Sequence, residues 1–272
     1  MADKIAFIGA GNMARSLVGG LLRHGTPATS IVAADPVIDQ RTGMAALGII
    51  TTDANEQAID GAATVVLAVK PQALRTVVQG LARTLEDGQL LISIAAGVPI
   101  DAISRWVSRD VGIVRCMPNT PALYGAGVTG LFANSHVTPR QAAAAESILT
   151  AVGEIVWVTN EAALDAVTAV SGSGPAYFFY LMEAMIEAGI ELGLDAATAR
   201  MLTLKTAYGA AVMANQSDIA PAQLRSNVTS PGGTTERAIS VLDAGQCRAL
   251  IVDALRQAER RSVELAIEFG AQ

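Results

Sequence analysis

Residues 5–14 read Ile5-Ala6-Phe7-Ile8-Gly9-Ala10-Gly11-Asn12-Met13-Ala14. The apolar run over residues 5–9 predicts a buried strand, and the pattern over residues 12–23 predicts a helix that starts at once. Between them lies a G-x-G-x-x-A turn. Its glycines, lacking Cβ atoms, allow a tight strand-to-helix turn and let the backbone come close to a pyrophosphate at the helix N-terminus. Such a turn is a weak signal alone, but a strand directly before it and a helix directly after it are the context that gives it meaning. Gly9, Ala10, Gly11, Asn12 and Met13 are therefore cofactor-binding candidates, the alternative being a strand–helix turn that binds nothing.

Further along, short β-rich runs alternate with helical patterns. Strands are predicted over residues 31–34, 65–69, 90–94, 112–116, 128–132 and 155–158, with a weaker one over 49–51. Helices are predicted over 72–85, 100–107 and 140–152. Continuous apolar strands separated by helices imply a mostly parallel sheet covered on both faces. After residue 159 the patterns are all helical, interrupted at residues 171–175, 193–195, 214–221 and 230–233. The expected plan is an α/β, Rossmann-type dinucleotide-binding domain over residues 1–160 and an all-α domain over residues 161–272.

Open α/β sheets bind ligands beyond the carboxyl ends of their strands. Asp35 follows the second strand, where a carboxylate accepts hydrogen bonds from an adenosine ribose and repels a 2′-phosphate. That favours NADH within an NAD(P)H-type site, although an acid before Pro36 also reads as a turn residue. Arg41 is close enough in sequence to answer a phosphate. Asn55 lies in another predicted loop and borders the adenine side. Ala68-Val69-Lys70-Pro71 and Ala95-Ala96 are small or stiff segments that leave room for the nicotinamide half. Met117-Pro118-Asn119-Thr120-Pro121 reads equally as a shaped turn or as a wall of the site. Ser171-Gly172-Ser173-Gly174-Pro175-Ala176-Tyr177 breaks two helical patterns and suits close helix crossing.

Near the far end, residues 227–237 read NVTSPGGTTER. Two adjacent glycines precede an apolar helical pattern, with Thr234 or Thr235 expected as its cap. Backbone N–H groups at a helix N-terminus, flanked by hydroxyls, suit a small carboxylate. One end of the chain thus reads as built for a cofactor and the other for a small acid.

Composition narrows the classes. Of 272 residues, 51% are apolar, which supplies a sizeable core. Only 4% are aromatic and 16% charged, a balance that suits tightly packed helices and a large subunit interface. Nineteen basic against 25 acidic residues, a net charge of −6, argue against nucleic acid as a partner. Cys116 and Cys247 are expected as buried thiols, and His24 and His136 in capping or surface roles. No cluster has metal-ligand spacing, so no metal is expected. The N-terminal stretch shows no signal-peptide pattern, and Glu183, Glu187 and Glu191 line one face of the most apolar helix. A cytoplasmic protein without a membrane span is the expectation.

Three segments together, GAGNMA, SGSGPAY and NVTSPGGTT, resemble pyrroline-5-carboxylate reductases, with AVKP, AAG and RCMPNTPA in the same order. The resemblance covers essentially the whole chain, and the TSPGGTT block is its most diagnostic piece. It implies NAD(P)H-dependent reduction of 1-pyrroline-5-carboxylate to L-proline, and a helical domain that dimerises, often within a larger ring of dimers. It implies that Ser230, Gly233, Thr234 and Thr235 hold the substrate, that Thr235 is the catalytic contact to the ring nitrogen, and that Asn227 touches cofactor or substrate. One departure stands out: family members favouring NADP commonly have a serine or an Asn-Arg pair where this chain has Ala34-Asp35. A β-hydroxyacid dehydrogenase shares the two-domain plan but wants a lysine early in the second domain, where this chain has PAYFFYLMEAM. An F420-type or other imine reductase shares only the front half. A nucleotide-sensing scaffold has no need of the TSPGGTT loop.

Overall fold

The computed structural model describes residues 3–271; Met1, Ala2 and Gln272 lie outside them. The strands are β1 (Ile5–Ile8), β2 (Ile31–Ala34), β3 (Ile50–Thr52), β4 (Thr64–Leu67), β5 (Leu90–Ser93), β6 (Gly112–Met117), β7 (Gly127–Ala133) and β8 (Gly153–Trp157). The first helices are α1 (Asn12–Arg23), α2 (Ile38–Ala45), α3 (Asn55–Ile59), α4 (Pro71–Leu81), α5 (Ile100–Val107), α6 (Pro139–Thr150) and α7 (Ala163–Val167). A π-helical turn, Thr168–Gly172, follows α7. Then come α8 (Gly174–Glu191), α9 (Ala196–Asn215), α10 (Pro221–Asn227), α11 (Thr234–Ala244) and α12 (Cys247–Gly270).

Two compact units result: Met1–Ser173 with Gln257–Gln272, and Gly174–Arg256. The first contains a single sheet of order β3-β2-β1-β4-β5-β6-β7-β8. Every neighbouring pair is parallel except β6 with β7. The exception follows from the connection: the chain leaves β6 through a 3₁₀ turn, Thr120–Tyr124, with no crossover helix to return it for parallel pairing. Side chains alternate across the sheet. Ala6, Ile8, Val65, Leu67 and Leu91 point into one core, completed by α3, α4 and α5. Ile5, Phe7, Val66, Leu90 and Ile92 point into the other, completed by α1, α2 and α6. Burial on both faces is why these strands are continuously apolar, and each large side chain so buried contributes about 1.5–3 kcal/mol.

The change of composition near residue 160 falls before the end of this unit. Leu164 and Val167 of α7 pack on β7, where a Cβ on Gly130 would lie 2.7 Å from Val167 Cγ1. Glu161 Oε1 accepts hydrogen bonds from Arg115 Nη1 and from the Ile100 N–H, both at 2.8 Å. The last turns of α12 also belong here. Phe269 is buried in the first core, Ser262 Oγ donates to the buried Asp165 at 2.7 Å, and Arg105 Nη2 donates to the Gly270 carbonyl at 2.6 Å. Helical pattern marks the start of α7, but packing keeps it with the sheet.

In the second unit, α8 and α9 pack closely: a Cβ on Gly189 would lie 3.1 Å from Ala199 Cβ. Asp195 caps α9 through the Ala197 and Thr198 N–H groups. The predicted interruption at residues 171–175 is a π turn running into α8 rather than a break, because the backbone stays helical through Ser173. Much of the apolar surface of this unit is open in the single chain; Phe178 is 65% exposed and Tyr180 76%. Among the described residues no helix is long and apolar enough to cross a membrane. Cys116 is buried as expected, and burial pushes its thiol pKa up. Cys247 is only half-buried, because it opens α12 on the less enclosed unit. His24 caps α1, its Nδ1 2.9 Å from the Gly20 carbonyl.

Candidate active site

The strand order reverses between β1 and β4, both of which flank the same backbone turn. Gly9 sits there at φ +98, and a Cβ on it would lie 2.7 Å from the Ala68 carbonyl oxygen. The close packing of two strand ends thus requires glycine. Gly11 differs: it is the N-cap of α1 at φ −71, with no side chain capping it, and a Cβ there would meet nothing within 4 Å. Packing does not demand glycine at that position. The open space over an uncapped helix N-terminus fits an approaching phosphate group. Asn12 is exposed and Met13 half-buried at the same helix start.

The other cofactor candidates also follow strand ends. Asp35 follows β2, and its carboxylate accepts from the Ala10 N–H and from the Val37 N–H, both at 2.9 Å. Arg41 Nη1 donates to the Asp35 and Pro36 carbonyls at 2.7 and 3.0 Å. Asn55 is the first residue of α3 rather than a loop residue, since Ala54 already has the extended backbone of an N-cap. Ala68 and Val69 are half-buried beyond β4, and exposed Lys70 caps α4 with Pro71 in its first turn. Ala95 is buried and Ala96 half-buried beyond β5. The structure therefore brings Gly9 to Met13, Asp35, Asn55, Ala68 to Pro71, Ala95 and Ala96 to the carboxyl ends of five neighbouring strands. Met117, the last residue of β6, and Pro118 and Asn119 after it continue that edge.

In the second unit, α10 ends at Asn227, whose Oδ1 accepts from Gln223 Nε2 at 2.9 Å. The chain then turns: the Gly233 N–H donates to the Ser230 carbonyl at 3.0 Å. Gly232 adopts φ +74, and its N–H donates to Glu236 Oε2 at 2.8 Å. The cap of α11 is Gly233, not a threonine, because the turn delivers Gly233 in the extended conformation of an N-cap. Thr234 and Thr235 are instead the first two helical residues, and no side chain caps the helix. First-turn N–H groups have no partner inside their own helix, so this end presents donors beside hydroxyls. A Cβ on Gly233 would lie 3.0 Å from the Ser230 carbonyl oxygen, which keeps the turn tight.

No group of His, Cys, Asp and Glu suited to a metal ion occurs among the described residues. Sequence reasoning missed Glu161 and named Asn119 only as one residue of the segment over residues 117–121. Both make long-range hydrogen bonds that leave no local pattern.

A Rossmann-type sheet with a glycine turn at its switch point, followed by a helical region, defines an NAD(P)H-dependent oxidoreductase. The helical region from residue 161 to 265 matches a family profile described as pyrroline-5-carboxylate reductase dimerisation, and residues 4–97 match one described as NADP oxidoreductase, coenzyme F420-dependent. Pyrroline-5-carboxylate reductase of Pseudomonas aeruginosa is 52% identical over 98% of each chain. A pyrroline-5-carboxylate reductase structure from Coxiella burnetii superposes with a TM-score of 0.93 at 44% identity, covering 98% of this chain and 99% of the other. The Plasmodium falciparum enzyme, solved with NADP bound, gives a TM-score of 0.88 at 29% identity over 97% and 98%. The chain belongs to the pyrroline-5-carboxylate reductase family.

Proposed function

We propose that this chain reduces 1-pyrroline-5-carboxylate to L-proline, the last step of proline biosynthesis, using the residues at the two sites above. Residues 1–160 serve the dinucleotide, and residues 161–272 serve substrate binding and dimerisation. The bound dinucleotide supplies a hydride equivalent, and the protein supplies orientation and electrostatics. Gly9, Ala10, Gly11, Asn12 and Met13 hold the pyrophosphate at the α1 N-terminus. Asp35 takes the adenosine ribose and Asn55 borders the adenine. Ala68, Val69, Lys70, Pro71, Ala95 and Ala96 shape the nicotinamide end.

The observation that carries the substrate side is the uncapped N-terminus of α11, with two glycines before it. Its N–H groups take the substrate carboxylate, framed by Ser230, Gly233 and Thr234, with Asn227 beside them. Thr235 Oγ1 is the catalytic contact, hydrogen-bonding the ring nitrogen. A cyclic imine protonated at nitrogen is already electrophilic at carbon, so positioning and electrostatics suffice without a strong general acid. None of the residues proposed for the site is a histidine or a cysteine.

The charge of Asp35 disfavours a 2′-phosphate, and Arg41 is already engaged by two backbone carbonyls, which supports a preference for NADH. The exposed apolar helices of the second unit support a homodimer, and a ring of dimers accords with the resemblance. We place the protein in the cytoplasm. Parallel assays of NADH and NADPH oxidation by the purified protein with 1-pyrroline-5-carboxylate test the reading. Turnover with a higher kcat/KM for NADH is expected. Nucleotide binding without turnover by either cofactor overturns the reductase assignment.

A further inference from the structure

Asn119 is only 7% exposed, and both ends of its side-chain amide are engaged. Its Oδ1 accepts from the Val128 N–H at 3.0 Å, at the start of β7. Its Nδ2 donates to the Ser171 carbonyl at 3.2 Å, inside the π-helical turn Thr168–Gly172. One side chain therefore ties the loop after β6 to β7 and to the π turn. A second contact reinforces the tie: a Cβ on Gly172 would lie 2.5 Å from Met117 Cε, so the turn rests directly on the Met117 side chain. π turns displace carbonyls from ordinary helical partners and recur at functional sites. Here the amide of Asn119 takes up the Ser171 carbonyl, whose i+4 residue, Pro175, has no N–H to offer it. Met117 and Pro118 stand on the same sheet edge as Gly9, Ala68 and Ala95.

We propose that Asn119 is a positioning residue for the reduction, holding the Met117-Pro118 wall and the π turn in one fixed arrangement. The inference rests on the reading of that sheet edge as the cofactor site. Asn119 acts through the wall and does not touch the reacting atoms. The residue type follows from the two partners: an N–H must be accepted and a carbonyl must be donated to, and a primary amide does both in one rigid plane. An aspartate has the same shape but sets an acceptor against the Ser171 carbonyl. A small shift of a wall is enough to matter, since misplacement by about 1 Å costs on the order of 100-fold in rate.

Asn119→Asp and Gly172→Ala test this together. The second variant presses on the flexible end of Met117, so it keeps the test decisive should the first fail to fold. Both are expected to speed amide exchange in residues 168–172 in the ligand-free protein. Both should lower kcat by about 10–100-fold while NADH affinity, read by fluorescence titration, stays within about threefold. The primary isotope effect with C4-deuterated NADH should rise as hydride transfer becomes limiting. A lowered melting temperature with kcat and isotope effect unchanged marks a merely structural residue and overturns the proposal. So does unchanged exchange in the π turn. A wild type without turnover overturns the reductase reading and this proposal together, whereas an active wild type matched by both variants overturns the positioning role alone.

Discussion

The Ala10 N–H donates to Asp35 Oδ2 at 2.9 Å, so the glycine turn after β1 and the acid after β2 are fastened to each other. The other carboxylate oxygen accepts from the Val37 N–H just before α2. Asp35 is thus a structural brace as well as a candidate ribose ligand, and its charge is held in place beside the turn. Two charges 4 Å apart interact by about 1 kcal/mol in water and about 4 kcal/mol near a protein surface.

Asp35→Asn should therefore change two things at once. Removing the charge should raise the ratio of kcat/KM for NADPH over NADH by about tenfold, equivalent to about 1.4 kcal/mol. The amide also sets an NH₂ group against one of the two backbone donors, so kcat/KM for NADH itself should fall. Steady-state kinetics with both cofactors separates the effects. A ratio equal to that of the wild type removes Asp35 from cofactor selection and leaves it the brace.

Gly9 and Gly11 share one turn and should respond in opposite ways. At Gly9, alanine is strained by φ +98 and meets the Ala68 carbonyl oxygen, so Gly9→Ala should destabilise by about 1–3 kcal/mol or more. At Gly11, alanine meets nothing and the backbone is ordinary, so Gly11→Ala should cost only the poorer N-cap, about 1 kcal/mol or less. Its dinucleotide affinity should drop sharply all the same, because the methyl group enters the space a pyrophosphate takes. Thermal melts and nucleotide titration of both variants check this. Wild-type affinity in Gly11→Ala means that the open space is not the phosphate site.

The same turn shows why much of the fold was legible. Helices α1 and α5 run over the residues their apolar periodicity predicts, and the strands buried on both faces announce themselves as unbroken apolar runs. Residues at strand ends followed from the parallel plan, since such sheets place ligands there. What escaped depends on partners far away in sequence. Ser262 meets Asp165 across 97 positions, and nothing near either residue foretells that the end of α12 packs with the sheet. The π turn at Thr168–Gly172 reads as a helix break because Ser171 and Gly172 carry no mark of helical continuity. At α11 the threonines look like caps by type, but the Ser230 turn places Gly233 one residue ahead of them.

Asp195 gives a pH-dependent expectation. A hydrogen bond from the Thr198 hydroxyl at 2.6 Å, then the Thr198 and Ala197 N–H groups, hold its carboxyl below the ordinary value of 3.8. The group loses its proton more readily in the folded chain, so the stabilisation is present above that value and fades as pH falls through the lowered one. The melting-temperature gap between wild type and Asp195→Ala should be widest near neutrality and narrow in acid. Asp195→Asn, which keeps an acceptor without a charge, should show a flatter dependence. A gap independent of pH excludes the charged form as the source of the capping.

Thr235 and Thr234 are neighbours in the first turn of α11, and neither side chain caps it, so each can be truncated without taking away a cap. Their proposed roles differ. Thr234 contributes its backbone N–H to the substrate carboxylate, and that group survives Thr234→Ala. Thr235 contributes Oγ1 to the ring nitrogen, and that group does not survive Thr235→Ala. Loss of one such hydrogen bond should remove about 1–3 kcal/mol of transition-state stabilisation, or about 5–150-fold in kcat/KM. Thr235→Ser should recover most of it, since the hydroxyl returns with a change of one methyl group. Kinetics with 1-pyrroline-5-carboxylate at saturating NADH reads all three variants. If Thr234→Ala and Thr235→Ala lose activity equally, the effect belongs to the shape of the turn. If Thr235→Ala keeps wild-type kcat/KM, the nitrogen is held by some other group, and the catalytic assignment of Thr235 falls.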